Sequence, residues 1–269
     1  MGLGVIFVGI STTVGAINFL VTALKMRAPG MSLRRMPVFV WSIVGMALMV
    51  LFAVPALTVA AALNEADRLF GTQVYVPGAG GDTLLYQHLF WFWGHPEVYI
   101  LFLPATGMIS SIIPAAARRP LAGGCGSSRR RWRSPSSASA CGCTTCSPPA
   151  ARQALGYFSA ASYIIAIPSG VQFFCWIATI WGGKVRFHTP MLFSIGFLVI
   201  FLLGGITGVM AATMPFDWQA HDTYFIVGPL PLRAERAVVF PIFGALYHWV
   251  PKMTGRMLSE SGSGAGASG

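Results

Sequence analysis

Three side chains able to do chemistry fall within five residues of one another: His95, Glu97 and Tyr99, in the string His88-Leu-Phe-Trp-Phe-Trp-Gly-His95-Pro-Glu97-Val-Tyr99. An imidazole can ligate a metal or pass a proton, a carboxylate can deliver a proton, and a phenol can donate one as a general acid. The setting is apolar, with no lysine or arginine from Val74 to Ala117. Ionisable groups at membrane depth are unfavourable, so they point to proton transfer or cofactor binding. His95 and Tyr99 are four residues apart, which puts both on one face of a helix.

The elements that must hold these residues are membrane helices. The chain has 269 residues, 55% of them hydrophobic and 10% charged, with a mean hydropathy of +0.66. A soluble domain carries about 25% charged residues. Apolar runs long enough to cross a bilayer lie at 3–24, 37–63, 84–117, 157–181, 189–213 and, less cleanly, 221–250, each meeting the ~20 residues a crossing requires. The expectation is an all-α polytopic membrane bundle embedded in lipid. Met1 leads straight into hydrophobic sequence without a cleavable signal pattern, which reads as the interior of a longer protein.

The net charge of +10 is concentrated rather than spread, with seven of the 18 basic residues between Arg118 and Arg152. In a chain this apolar the positive-inside rule explains the bias better than a nucleic-acid surface does. Lys25, Arg27, Arg34 and Arg35 place the first connection in the cytoplasm. Glu65 and Asp67, with only Arg68 beside them, place the second outside, and Arg118 and Arg119 bring the third span back in.

Lys184 and Arg186, after the fourth span, also read as cytoplasmic. Spans three and four then run in the same direction, which requires another crossing between them. The sequence there, Gly-Gly-Cys125-Gly-Ser-Ser-Arg-Arg-Arg-Trp-Arg-Ser-Pro-Ser-Ser, offers no apolar run that could span. Cys141, Cys143 and Cys146 follow closely. They admit three readings: a metal site short of a fourth ligand, a basic disordered loop, or translation in the wrong frame.

Five blocks together resemble subunit I of the haem–copper oxidases, of the cytochrome c oxidase type. They are Leu85–Ile100, Ala166-Ile-Pro-Ser-Gly-Val-Gln-Phe-Phe-Cys-Trp-Ile-Ala-Thr179, Gly204-Gly-Ile-Thr-Gly-Val209, His221-Asp-Thr-Tyr-Phe-Ile-Val227 and Tyr247-His-Trp-Val-Pro251. Their order resembles the family's fourth to tenth helices, one of them corrupted. The resemblance implies that His95 ligates copper, that Tyr99 is covalently joined to it and supplies an electron and a proton, and that Glu97 donates protons. The plainer alternatives are a hydrogen-bonded core histidine, which a lone His95 would favour, an interfacial or packing tyrosine, and a glutamate satisfied locally near a helix start, which this depth disfavours.

His221 and Asp222 resemble a magnesium-holding pair, or else cap a helix. Ser110 and Ser169 resemble positions of a second proton path, though hydroxyls also bond back within helices. Gln172 stands where many members carry a lysine, and it cannot carry a proton's charge, which puts that path in doubt. The resemblance further implies two haems in the parent protein, oxidase subunits II and III, cytochrome c as electron donor, and a bacterial inner membrane.

The family's adjacent pair of copper-ligating histidines is expected near Thr144-Thr145. If Cys143–Ser147 is encoded TGC ACC ACA TGT TC, reading one base earlier after a G gives Val-His-His-Met-Phe. The family's two haem-ligating histidines are expected just after Val227, where this chain has Gly-Pro-Leu-Pro-Leu-Arg-Ala234. Dropping one G from GTG GGC CCA CTT CCA CTA CGT GC gives Val-Ala-His-Phe-His-Tyr-Val. Two such rescues at ligand positions favour single-base slips. The chain then divides into helices with the copper motif over 1–119, a corrupted basic segment over 120–153, helices over 154–258 and a disordered tail over 259–269.

The functional reading is a terminal oxidase core subunit reducing dioxygen to water with proton translocation. As written, the chain is expected to be inactive. A quinol oxidase, and a cofactor-free polytopic transporter with its site at broken helices, are the alternatives.

Overall fold

The computed structural model describes residues 2–122, 152–220, 223–224 and 237–256. Within them lie seven α-helices: α1 Gly2–Lys25, α2 Val38–Phe70, α3 Thr83–Ala117, α4 Arg152–Trp181, α5 Thr189–Ala211, α6 Met214–Ala220 and α7 Ala237–Thr254. The described residues contain no strand. This is the expected polytopic helical bundle. Four helices, α1, α2, α3 and α5, are long and apolar enough to cross a membrane. The described apolar part of α4, Ala166–Trp181, is shorter, and α7 has 18 residues. The expected span at 221–250 is described only from Ala237, and its helix runs on to Thr254.

Helix ends follow local chemistry. Asp82 caps α3 by accepting a 2.8 Å hydrogen bond from the Leu84 amide, satisfying one of the free N–H groups of the first turn. Gly71 closes α2 at φ +66°, a left-handed value that glycine adopts without a Cβ penalty. The α2–α3 connection is clasped by Asp67, whose carboxylate accepts from the Thr72 hydroxyl and from the Val74 and Tyr75 amides. Tyr75 in turn packs edge-on against Tyr86 at 5.5 Å. Burial, together with the Asp67 charge and Tyr86, holds the Tyr75 phenol above its ordinary value.

α1, α2 and α3 pack as consecutive antiparallel neighbours. Ala16 on α1 joins Ala47, Val50 and Val54 on α2 in one buried cluster, to which Trp93 and Ile100 of α3 add. Gly107 lets α2 approach α3 closely, because a Cβ there would run into the Ser42 hydroxyl and lie 3.2 Å from the Phe39 Cα. A second cluster, Ile109, Ile113, Trp176, Met191, Phe197 and Leu198, ties α3 to α4 and α5. α7 lies on α5 through Phe193, Phe240, Phe243 and Tyr247.

α3 and α4 run parallel. Ser110 faces Gln172 and Trp176, while at the C-terminal ends of the two helices the Ala122 amide donates to Thr179 Oγ1 at 2.9 Å and the Arg186 amide to the Ala116 carbonyl at 3.2 Å. α4 is 30 residues long, about 45 Å at the helical rise, so Ala122 and Arg152 lie at opposite ends of the bundle. That agrees with the direction read from the charges. Leu121 and Ala122, at the start of the segment expected to be corrupted, pack in the α3–α4 region. The rest of that segment up to residue 151, with the four clustered cysteines, lies outside the described residues, as do the 227–236 window and the tail from residue 257.

Candidate functional site

α3 carries the chemical block, and three prolines interrupt its hydrogen bonding, at Pro96, Pro104 and Pro114. Each removes a backbone donor, a cost tolerated in membrane helices where neighbours re-satisfy freed carbonyls. Pro96 sits between His95 and Glu97 and is itself buried.

His95 and Tyr99 meet as the four-residue spacing predicts, with ring centroids 4.7 Å apart and planes tilted by 48°. Tyr99 also packs against the Met49–Leu103 cluster, so this face of α3 looks towards α2. The Nε2 atom of His95 is buried without a hydrogen-bond partner among the described residues. Such an atom is costly unless something bonds to it, and an imidazole nitrogen in this position is chemically able to take a metal ion or a covalent bond. Glu97 is half-buried. At 100° per residue it stands about 200° round the helix from His95, so it does not share the His95–Tyr99 face.

Ser110 is the second focus. Its hydroxyl donates to the Thr106 carbonyl at 2.7 Å and accepts from Trp176 Nε1 at 3.0 Å, with Gln172 Nε2 at 3.4 Å. Ser169 lies one turn before Gln172 on the same face of α4, half-buried. The fold therefore brings Ser110 and Gln172 together at an α3–α4 contact, with Ser169 one turn away along α4. It adds Trp176, wholly buried, to which the sequence reading assigned no role. The available signal was a tryptophan within an apolar helix, since a buried indole N–H requires an acceptor. Tyr99 and Ser110 are eleven residues apart on α3, about 16 Å along the axis, so the two foci are distinct.

His221 and Asp222, the expected magnesium pair, lie outside the described residues. The other histidines do not join His95. His88 is seven residues earlier on α3, His188 stands just before α5 at the far end of the bundle without a side-chain capping bond, and His248 on α7 pairs with Lys252 at 2.8 Å. Among the described residues no three histidine, cysteine or acidic side chains gather to hold a metal ion. Among the described residues, His95 is therefore a single donor and no three-donor metal centre forms round it.

Residues 1–128 and 145–267 match the family described as "Cytochrome C and Quinol oxidase polypeptide I". The chain belongs to this family. Among its relatives are cytochrome c oxidase subunit 1 of Synechocystis, 42% identical over 266 residues, and probable cytochrome c oxidase subunit 1-beta of Nocardia farcinica, 43% identical over 260. Putative cytochrome c oxidase subunit 1-beta of Streptomyces coelicolor is 45% identical over 270 residues. Each alignment takes in 96% of this chain but only 47%, 44% and 45% of those proteins respectively. The chain thus spans about half the length of the curated relatives it matches. Family membership, with four helices able to cross a bilayer, makes this oxidase subunit I chain an integral membrane protein and sets aside the transporter alternative.

Proposed function

We propose that this chain is the central part of the core subunit of a terminal respiratory oxidase in a bacterial plasma membrane. In its full-length form that subunit reduces dioxygen to water at a haem–copper centre, with proton translocation, alongside subunits II and III. Cytochrome c is the favoured electron donor over quinol, because the similar proteins are named cytochrome c oxidases. The observation that carries the reading is the His95–Tyr99 pair, with its buried, unpartnered Nε2, in a chain of this family.

Within the proposal, His95 is the one copper ligand retained, and Tyr99 is held against its imidazole as an electron and proton source. Glu97 delivers protons from the other side of α3. Ser110 and Ser169 flank the second proton path, which Gln172 interrupts, and His221 with Asp222 is the candidate magnesium pair. The residues present do not complete the copper or haem sites, so the chain as written is assigned no oxygen chemistry. The single-base slips explain why. The gap in the family match, 129–144, falls in the first window and supports a slip there, whereas the match runs unbroken through the second.

The test is to place two versions of this region in the full-length subunit. One has the sequence as written. The other carries Thr144→His, Thr145→His, Pro229→His and Pro231→His with the flanking residues of the shifted frames. Haem absorbance, bound copper and cytochrome c-dependent oxygen uptake are expected only in the second. Oxygen uptake by the first would overturn the loss of function, and a second version without haem would overturn the oxidase reading.

A further inference from the structure

One end of the bundle is basic and has no acidic counterpart among the described residues. The acidic positions of the described residues are Glu65, Asp67 and Asp82 at the α2–α3 connection, Glu97 on the first half of α3, and residue Asp217 on α6, beyond the far end of α5. From Val98 to Phe216 the chain has no aspartate or glutamate. The only ion pair among the described residues, Arg68 with Glu65 at 3.9 Å, is at the acidic end.

At the basic end, Arg118, Arg119, Lys184 and Arg186 are brought together by backbone contacts. The Arg186 amide bonds to the Ala116 carbonyl at 3.2 Å. Gly183 lies so close to α3 that a Cβ there would sit 2.7 Å from the Ala117 carbonyl oxygen. The Arg119 guanidinium covers Gly182 in the space a side chain would need, and Arg118 turns the chain at φ +51° as the cap of α3. All four side chains are exposed. Beside them Trp181 is 89% exposed and Phe187 69%.

Clustered cations without counter-charges repel one another unless an anion joins them. An exposed tryptophan at a helix end marks the headgroup level of a bilayer, and the positive-inside rule assigns a basic end to the cytoplasm, where the facing leaflet carries anionic lipids. We propose that Arg118, Arg119, Lys184 and Arg186 bind the phosphate of one anionic phospholipid, with Trp181 and Phe187 against its glycerol and upper acyl region. The planar guanidinium groups of Arg118, Arg119 and Arg186 suit bidentate bonding to phosphate oxygens, and Lys184 adds a point charge. This site is separate from the His95 and Ser110 foci and does not depend on oxidase activity.

The test uses the full chain in detergent micelles doped with phosphatidylglycerol or phosphatidylcholine, with retained lipid counted by native mass spectrometry. One phosphatidylglycerol is expected to stay bound in preference to phosphatidylcholine. The triple change Arg119→Gln, Lys184→Gln and Arg186→Gln should lower its retention by about tenfold or more. Lys25→Gln, Arg27→Gln and Arg35→Gln, an equal charge loss at the same end of the bundle, should leave it within about twofold. Equal losses from the two triples, or from neither, would overturn the proposal. So would a wild-type chain with no preference for phosphatidylglycerol, a result that does not depend on any variant folding. Displacement of the lipid by millimolar inorganic phosphate would also defeat the headgroup assignment, making this a simple anion site.

Discussion

Ser110 shows how a residue that resembles one thing in sequence can be occupied with another in the fold. Its proton is committed to the Thr106 carbonyl, and its oxygen receives the Trp176 indole N–H, with Gln172 at the edge of hydrogen-bonding range. Hydrogen bonds between membrane helices average only about 0.6 kcal/mol. Leaving a buried donor with no partner costs more, about 1–3 kcal/mol. Ser110 is 4% exposed and Trp176 fully buried, so the cost of a stranded donor should govern. Ser110→Ala is therefore expected to destabilise the chain by about 1–2 kcal/mol in reversible unfolding from mixed micelles. Trp176→Phe in the Ser110→Ala background should add less than it does alone, since the N–H it removes is already stranded. Additive losses would mean that the bond contributes nothing.

At the scale of elements, helix contacts are set by where side chains are absent as much as by where they are present. Gly107 is the point at which α3 meets α2, with the Ser42 hydroxyl and the Phe39 backbone in the way of any Cβ. Backbone cannot rotate aside as a flexible side chain can. Gly107→Ala should thus separate the helices and cost about 1–3 kcal/mol. Gly4 on α1 has nothing within 4 Å of a Cβ, so Gly4→Ala should be neutral or stabilising by up to about 1 kcal/mol. The same unfolding assay reads both, and a neutral Gly107→Ala would show that the α2–α3 contact is looser than described. The His95–Tyr99 contact was legible beforehand because it is local: one helical period fixes it. The Ser110–Trp176 bond was not, because it joins residues 66 apart in sequence, and periodicity within one helix does not say which neighbour it will meet. Glu97 illustrates the same limit from the other side. Adjacency in sequence grouped it with His95 and Tyr99, while the helical turn carries it off their face.

For the whole molecule, the parallel course of α3 and α4 is a long-range property that charge at the chain's connections already implied. Basic residues predict that α3 and α4 both end on the cytoplasmic side, and packing independently makes the two helices parallel: Ser110 lies beside Trp176, and Ala116 beside Arg186. The two inferences share no premise, one resting on the cost of moving Lys and Arg across a bilayer and the other on hydrogen-bond geometry. They converge on a chain that must return across the bundle between Ala122 and Arg152, through a stretch with no apolar run of spanning length. Sidedness can be measured directly. Single cysteines at Arg118→Cys, Lys184→Cys and Thr72→Cys, in a background with the five native cysteines replaced by serine, would be treated with a membrane-impermeant maleimide in right-side-out and inverted vesicles. Arg118→Cys and Lys184→Cys should react only in inverted vesicles, and Thr72→Cys only in right-side-out ones. Labelling of Arg118→Cys and Lys184→Cys from opposite faces would make α3 and α4 antiparallel, and no crossing would then be needed between them.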